Sequence, residues 1–164
     1  MSKILHRQFL NNKEILNLCL KNIHNESSYC NQNSNENIFI TGLARSGTTA
    51  LLQSIDSTNI FGSFRYKYMP FILSPKLAEI FSKFPSKNES TQMERIHNDG
   101  ILIDSNSPEC LDEIYWINKS CREFNFNHEL KLHNISEDDL NEYGYLINKY
   151  LKIEDKKRFL VKNN

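Results

Sequence analysis

The residues best suited to chemistry lie together at Gly42-Leu43-Ala44-Arg45-Ser46-Gly47-Thr48-Thr49. Their G-x-x-x-x-G-x-T spacing is that of a loop that wraps a phosphate. Successive backbone N–H groups at the start of a helix point into one small volume, and the helix dipole adds potential favourable to an anion. Gly47 permits close approach of the backbone, and Thr48 and Thr49 bring hydroxyl donors. One position departs from the nucleoside-triphosphate version of such a loop. The Lys that would reach the β- and γ-phosphates is replaced by Thr48. A loop without that Lys, but with Arg45 in its middle, suits a shorter and less charged group such as a 5′-phosphosulfate. The alternative is a glycine-containing turn that binds nothing. The apolar residues on both sides of the loop argue against it.

Those flanks define the elements that must position the loop. Ile38-Phe39-Ile40-Thr41 is a short apolar run expected to be a buried strand. Thr48 to Ile55 resumes as a helix. Upstream, residues 12–24 carry Ile15, Leu16, Leu18, Cys19 and Ile23 at near-helical spacing, with Asn11 and Glu14 placed as a capping box. The polar stretch 25–37 reads as a linker, which makes 1–37 an N-terminal helix and linker and 38–164 the main domain. Downstream, Ile60 to Phe64 suggests a second strand. Ser74-Pro75 and Ser107-Pro108 each suggest a cap followed by proline at the first helical position. The second of these would start a helix in which Cys110, Leu111, Ile114 and Ile117 share an apolar face. Ser136 with Asp139 caps a helix bearing Leu140, Tyr143, Ile147 and Leu151. Arg158 to Lys162 is strand-like again. Strands separated by helices predict an α/β fold with a parallel sheet flanked by helices. A buried parallel strand ordinarily hands over to a helix that covers it. The sequence stops just after this one, so a fragment of a longer domain is expected.

The loop and three other segments resemble the sulfotransferases that use 3′-phosphoadenosine 5′-phosphosulfate, in particular bacterial members. The loop matches their G-x-x-R-S-G-T-T. The others are Phe64 to Phe71, Asp104 to Glu109 with Asp112 to Trp116, and Arg158 to Asn163; the resemblance covers about residues 38–164. It implies the α/β sulfotransferase fold, related to nucleotide kinases and containing a P-loop-like parallel sheet. It also implies an enzyme that moves a sulfuryl group from the phosphosulfate donor to a hydroxyl or amine by in-line displacement, without a metal. Gly42, Arg45, Ser46, Gly47, Thr48 and Thr49 would hold the phosphosulfate. Lys162 would stabilise charge on the bridging oxygen, by the electrostatic logic of phosphoryl transfer. A Lys at that place can also be just the solvated end of a strand.

Two departures from the family pattern stand out. Relatives often carry an acidic base about twenty residues after the loop, where this chain has Arg65-Tyr66-Lys67-Tyr68. Glu109 is the residue named for that role, with Glu113, Asp104 and His97 as alternatives. Glu109 can equally be only the start of a helix, where its charge suits the dipole. The Arg and Ser that hold the 3′-phosphate in the family are expected beyond residue 164. Phe64, Tyr66, Tyr68 and Phe71 are read as core in preference to a stacking surface for adenine.

Composition narrows the rest. The 164 residues carry 20 Lys plus Arg against 20 Asp plus Glu, a formal net charge of zero. That balance excludes nucleic-acid binding and polybasic membrane association driven by bulk charge, and leaves room for one local basic pocket. No apolar run approaches the ~20 residues of a membrane span. The N-terminus lacks a signal-peptide core, and the four cysteines form no CxxC pair. A cytoplasmic protein is expected, with idle thiols, N-x-S sequons without meaning, and a small-molecule, glycan or peptide acceptor as partner. His128-Glu129-Leu130-Lys131-Leu132-His133 is one residue too long for a helical zinc motif. Two rivals remain: a kinase or NTPase with an aberrant loop, and a non-catalytic nucleotide-binding module.

Overall fold

Three parallel strands form the sheet at the centre of the protein, and the last in sequence lies between the other two. The computed structural model describes residues 12–27, 36–43, 45–84, 92–94, 100–119, 125–126, 129–130 and 134–163. In chain order the elements are α1 (Lys13–Ser27), β1 (Ile38–Thr41), α2 (Thr48–Asp56), β2 (Phe61–Gly62), a 3-10 turn (Tyr66–Tyr68) and α3 (Pro75–Ser82). They continue with β3 (Met93–Glu94), β4 (Leu102–Ile103), α4 (Glu113–Lys119), β5 (Asn125–Phe126), β6 (Glu129–Leu130), α5 (Glu137–Glu154) and β7 (Arg158–Asn163). β7 pairs with β1 from Ile38 opposite Leu160 to Thr41 opposite Asn163, and with β2 at Phe61 opposite Arg158. The short pairs β3–β4 and β5–β6 are antiparallel and separate from this sheet. The result is a mixed α/β protein with a small parallel sheet flanked by helices.

The two-residue period of β7 divides its side chains between two cores. Phe159 and Val161 enter the larger one, with Tyr143, Leu146, Ile147 and Tyr150 of α5 and Leu16, Cys19 and Ile23 of α1. Leu160 enters the smaller one on the opposite face, with Ile40, Phe61 and Leu52 of α2. Phe64 fits edge-on against both Tyr150 and Phe159, at ring centroid distances of 5.0 and 4.9 Å. The reading of Phe64 and Tyr68 as core therefore holds. Tyr66 and Phe71 pack against the same cluster, half-buried.

Helix starts follow their sequence signals unevenly. The Ser136 hydroxyl accepts from the Asp139 N–H, and the Ser136 N–H donates to the Asp139 carboxylate, which completes the expected capping box of α5. Pro75 opens α3 as expected, although the Ser74 side chain makes no cap hydrogen bond. At α1 the cap is Asn12, whose side chain accepts from the Ile15 N–H at 3.2 Å; Asn11 lies outside the described residues. Ser107-Pro108 does not start a helix. Pro108 forms an antiparallel bridge with Arg65, and the helix begins five residues later at Glu113. The residue before a proline favours extended backbone, and here that preference feeds pairing with another segment. The buried face of α4 accordingly centres on Tyr115, with Ile114 and Trp116 packed against the core. Ile15, Leu18 and Leu140, at helical spacing with core residues, are exposed because the buried stripe of each helix is narrower than its apolar pattern.

An ion-pair network ties the helix ends together. Arg65 makes two hydrogen bonds to the Asp56 carboxylate (2.9 and 3.0 Å), one to Glu154 (2.6 Å) and one to the Asn106 carbonyl (2.7 Å). Lys67 and the Tyr68 hydroxyl also reach Glu154. Burial works against the Arg65 charge, but the bonds and charges of Asp56 and Glu154 outweigh it and hold the guanidinium protonated. The cationic RYKY segment is thus spent on structure.

The split core makes a quantitative expectation. Leu160→Ala, at a fully buried position, should lower the unfolding free energy by about 2–5 kcal/mol. Leu140→Ala, at 52% exposure, should change it by no more than about 0.5 kcal/mol. Urea denaturation of the two variants followed by circular dichroism checks the contrast.

Candidate functional site

The glycine loop leaves the C-terminal end of β1 and turns directly into α2. Two residues in the left-handed region make the turn, Arg45 at φ 64° and Gly47 at φ 85°. Gly47 is the N-cap of α2 and has no side chain with which to close it, so the first amides of the helix lack the capping acceptor that Ser or Asp would supply. Gly42 is required for a different reason. A Cβ there would sit 2.8 Å from Ser46 Oγ and 2.9 Å from Thr48 Cγ2, because the loop folds back across its own first residue. Arg45 and Ser46 are exposed, Thr48 is half-buried, and Thr49 is buried beneath the loop.

Strand alternation carries Lys162 to this same place. It lies two residues beyond Leu160, on the α2 side of the sheet, with Ile40 as its register partner in β1. Its ammonium donates to Thr49 Oγ1 at 2.9 Å and meets Glu109 Oε1 at 2.7 Å. Lys162 is only 3% exposed, so it is not the solvated end of a strand. A buried ammonium needs a paired charge and hydrogen-bond acceptors, and these two residues supply both.

Glu109 arrives from a third segment. The stretch 105–109 runs antiparallel to 64–67, with Lys67 N–H donating to Ser105 O (2.7 Å), Tyr66 N–H to Ser107 O (3.3 Å) and Glu109 N–H to Phe64 O (3.1 Å). Because the backbone here is extended, Glu109 is not the dipole-favoured residue of a helix start, and its carboxylate faces the sheet. It also accepts from the Cys110 N–H at 3.0 Å and from the Tyr66 hydroxyl at 3.4 Å. Thr49, Lys162 and Glu109 thus meet from three separated stretches of sequence, at the foot of the loop that carries Gly42, Arg45, Ser46, Gly47 and Thr48.

The other acid–base candidates lie differently. Asp104 closes a turn through Ser107 and the Asn106 N–H, and Glu113 is exposed on α4. His97, His128, His133 and Cys121 lie outside the described residues, as does Ala44 within the loop. Cys19 is buried and Cys110 half-buried, and neither is in a disulfide. Among the described residues, no group of three His, Cys, Asp or Glu is placed to hold a metal ion, and no helix is long and apolar enough to cross a membrane.

Sequence reasoning missed Asp112. It is wholly buried and accepts a hydrogen bond from the Tyr143 hydroxyl at 2.7 Å. The Asn163 amide, oriented so that both of its ends find partners, donates to the same carboxylate oxygen at 3.0 Å and to the Lys162 carbonyl at 3.1 Å. Its partners lie 31 and 51 positions away, so no local pattern marks it. Burial pushes the Asp112 carboxyl up to about 6, while the bond from Tyr143 pulls in the other direction.

In chemical terms the arrangement is a helix start without a side-chain cap, an exposed Arg45 and a buried Lys162, each of which favours a small anion, with a carboxylate already paired to the lysine. Comparison of the chain with protein-family models, with curated proteins and with solved structures finds no match.

The raised Asp112 pKa sets the sign of a pH dependence in stability. Its proton is bound more tightly in the folded protein than in the unfolded chain, whose ordinary value is about 3.9. The stabilisation is therefore full below about pH 4 and is lost as the pH rises through about 6. Relative to Asp112→Asn, the wild-type chain should lose stability between pH 4 and pH 6.5. Denaturant titrations of both proteins across that range read the difference, and parallel curves would contradict the assignment.

Proposed function

We propose that this protein is a sulfotransferase domain, or part of one, that binds 3′-phosphoadenosine 5′-phosphosulfate in the loop 42–49. The observation that carries the reading is the Lys162 ammonium, buried at the end of β7 and hydrogen-bonded to Thr49 at the foot of a loop that lacks the triphosphate-binding Lys. The residues present suit a phosphosulfate. The open start of α2 and Arg45 offer donors for one phosphate and its sulfuryl extension, and Gly42 leaves the loop closed tightly enough for a short group.

In this reading the chain's residues divide the work of an in-line displacement. The loop amides and Arg45 hold the donor. Lys162 places positive charge where the bond between sulfur and the phosphate oxygen breaks, so the leaving oxygen is stabilised as its charge grows. Glu109 takes the proton of the acceptor hydroxyl or amine as the new bond to sulfur forms. Glu109 and the donor compete for one ammonium. A donor anion bound beside the ammonium therefore takes up part of its charge, weakens the 2.7 Å contact with Glu109 and leaves that carboxylate to act as a base. The P-loop-like relation to nucleotide kinases belongs to the same proposal, supported by the strand–glycine loop–helix at residues 38–56.

Adenosine 3′,5′-bisphosphate, the product of such a transfer, is the direct probe. Isothermal titration should show it binding this chain through its 5′-phosphate, as well with EDTA as with Mg²⁺. Arg45→Ala should weaken that binding by about tenfold or more, the worth of one charged hydrogen bond. A preference for ATP that requires Mg²⁺ would replace this reading with that of a kinase or NTPase.

A further inference from the structure

We propose that Asp112 is a positioning residue for Lys162: its carboxylate, by holding Asn163 and Tyr143, sets the lysine ammonium against Thr49 and Glu109. Two backbone segments deliver the Lys162–Glu109 pair, and Asp112 grips both. It stands three residues after Glu109 and is the last residue before α4, its carbonyl accepting from the Tyr115 and Trp116 N–H groups at 2.8 and 3.3 Å. Across from it, Asn163 follows Lys162 on β7 and bonds both Asp112 and the Lys162 carbonyl. Tyr143 adds a third attachment, from the middle of α5. A wholly buried carboxylate that joins a strand end, a loop and a helix is costly to desolvate. The hydrogen bonds of Tyr143 and Asn163 offset that cost only in the native arrangement, so the carboxylate selects that arrangement. The Cys110 thiol, 3.8 Å from the other carboxylate oxygen, lies on the same loop and adds only a weak contact.

The role can be read without a reaction, from the chemical reactivity of the lysine itself. A buried, paired ammonium reacts slowly with an amine-directed N-hydroxysuccinimide ester, and the rate follows the population in which it opens to solvent. The measurement is the labelling of Lys162 relative to exposed Lys152, by peptide mass spectrometry, in the wild-type chain and in Asp112→Asn, Asn163→Ala and Leu146→Ala. Asp112→Asn and Asn163→Ala should each raise the ratio by roughly tenfold, the effect of losing one charge-assisted hydrogen bond. Leu146→Ala destabilises the core without removing any group that bonds Asp112 or Lys162, and should leave the ratio near that of wild type. An unchanged ratio in the folded Asp112→Asn and Asn163→Ala proteins overturns the proposal. So does an equal rise in Leu146→Ala, which would mark a merely structural role. Should Asp112→Asn fail to fold, Asn163→Ala decides alone, because Asn163 is half-buried at a strand end.

A second readout joins this to the proposed function, on which it rests. Asn163→Ala should bind adenosine 3′,5′-bisphosphate about tenfold more weakly than wild type. If the wild-type chain does not bind the bisphosphate at all, the sulfotransferase reading fails, and the labelling ratios still decide what Asp112 does.

Discussion

A lysine ammonium inside a protein must be paired, and at Lys162 that requirement organises much of what surrounds it. β7 is covered on both faces and paired with β1 up to its end, and Lys162 there is 3% exposed. The ammonium is met by Thr49 from the first turn of α2 and by Glu109 from the strand-like segment beside β2. Removing either partner would strand a charge in a poorly solvated place, which is why the glycine loop, the strand end and the 105–109 segment behave as one unit.

The period of β7 decides which residues take part. Phe159 and Val161 are committed to the aromatic core beneath α5, so Leu160 and Lys162 necessarily face α2. One residue of slip would exchange the two sets, burying Lys162 among tyrosines and presenting Val161 to the loop. The same parity that builds the core therefore also aims the cation.

Part of this was legible in the sequence, and the legible part is local. The strand, loop and helix at 38–56 are contiguous, and each carries its own signal in glycine placement, apolar runs and a helix start. The α5 capping box is similarly local. The resemblance placed Lys162 in the site, and Glu109 entered as a substitute for the base that the family carries elsewhere; nothing in their spacing could join them, because 53 positions separate them. Pro108 misled because the extended backbone that proline imposes on its neighbour serves a helix entry and a β-bridge equally well. The bridge is made with Arg65, a partner that no window around Pro108 contains. Asp112 was hidden for the same reason, since a carboxylate is informative only when its donors are known, and these come from α5 and β7.

The Arg65 network has a consequence for α2 as a mechanical object. Asp56 is the final residue of that helix, and its carboxylate is clamped in two bonds to Arg65, which is itself fastened to Glu154 at the end of α5. At the other end, Thr49 is fastened to Lys162. A nine-residue helix held at both termini behaves as a strut between the sheet and α5. Any accommodation of an incoming anion then falls to the turn around Arg45 and Gly47. The seat of the site is fixed, and only its rim can adjust.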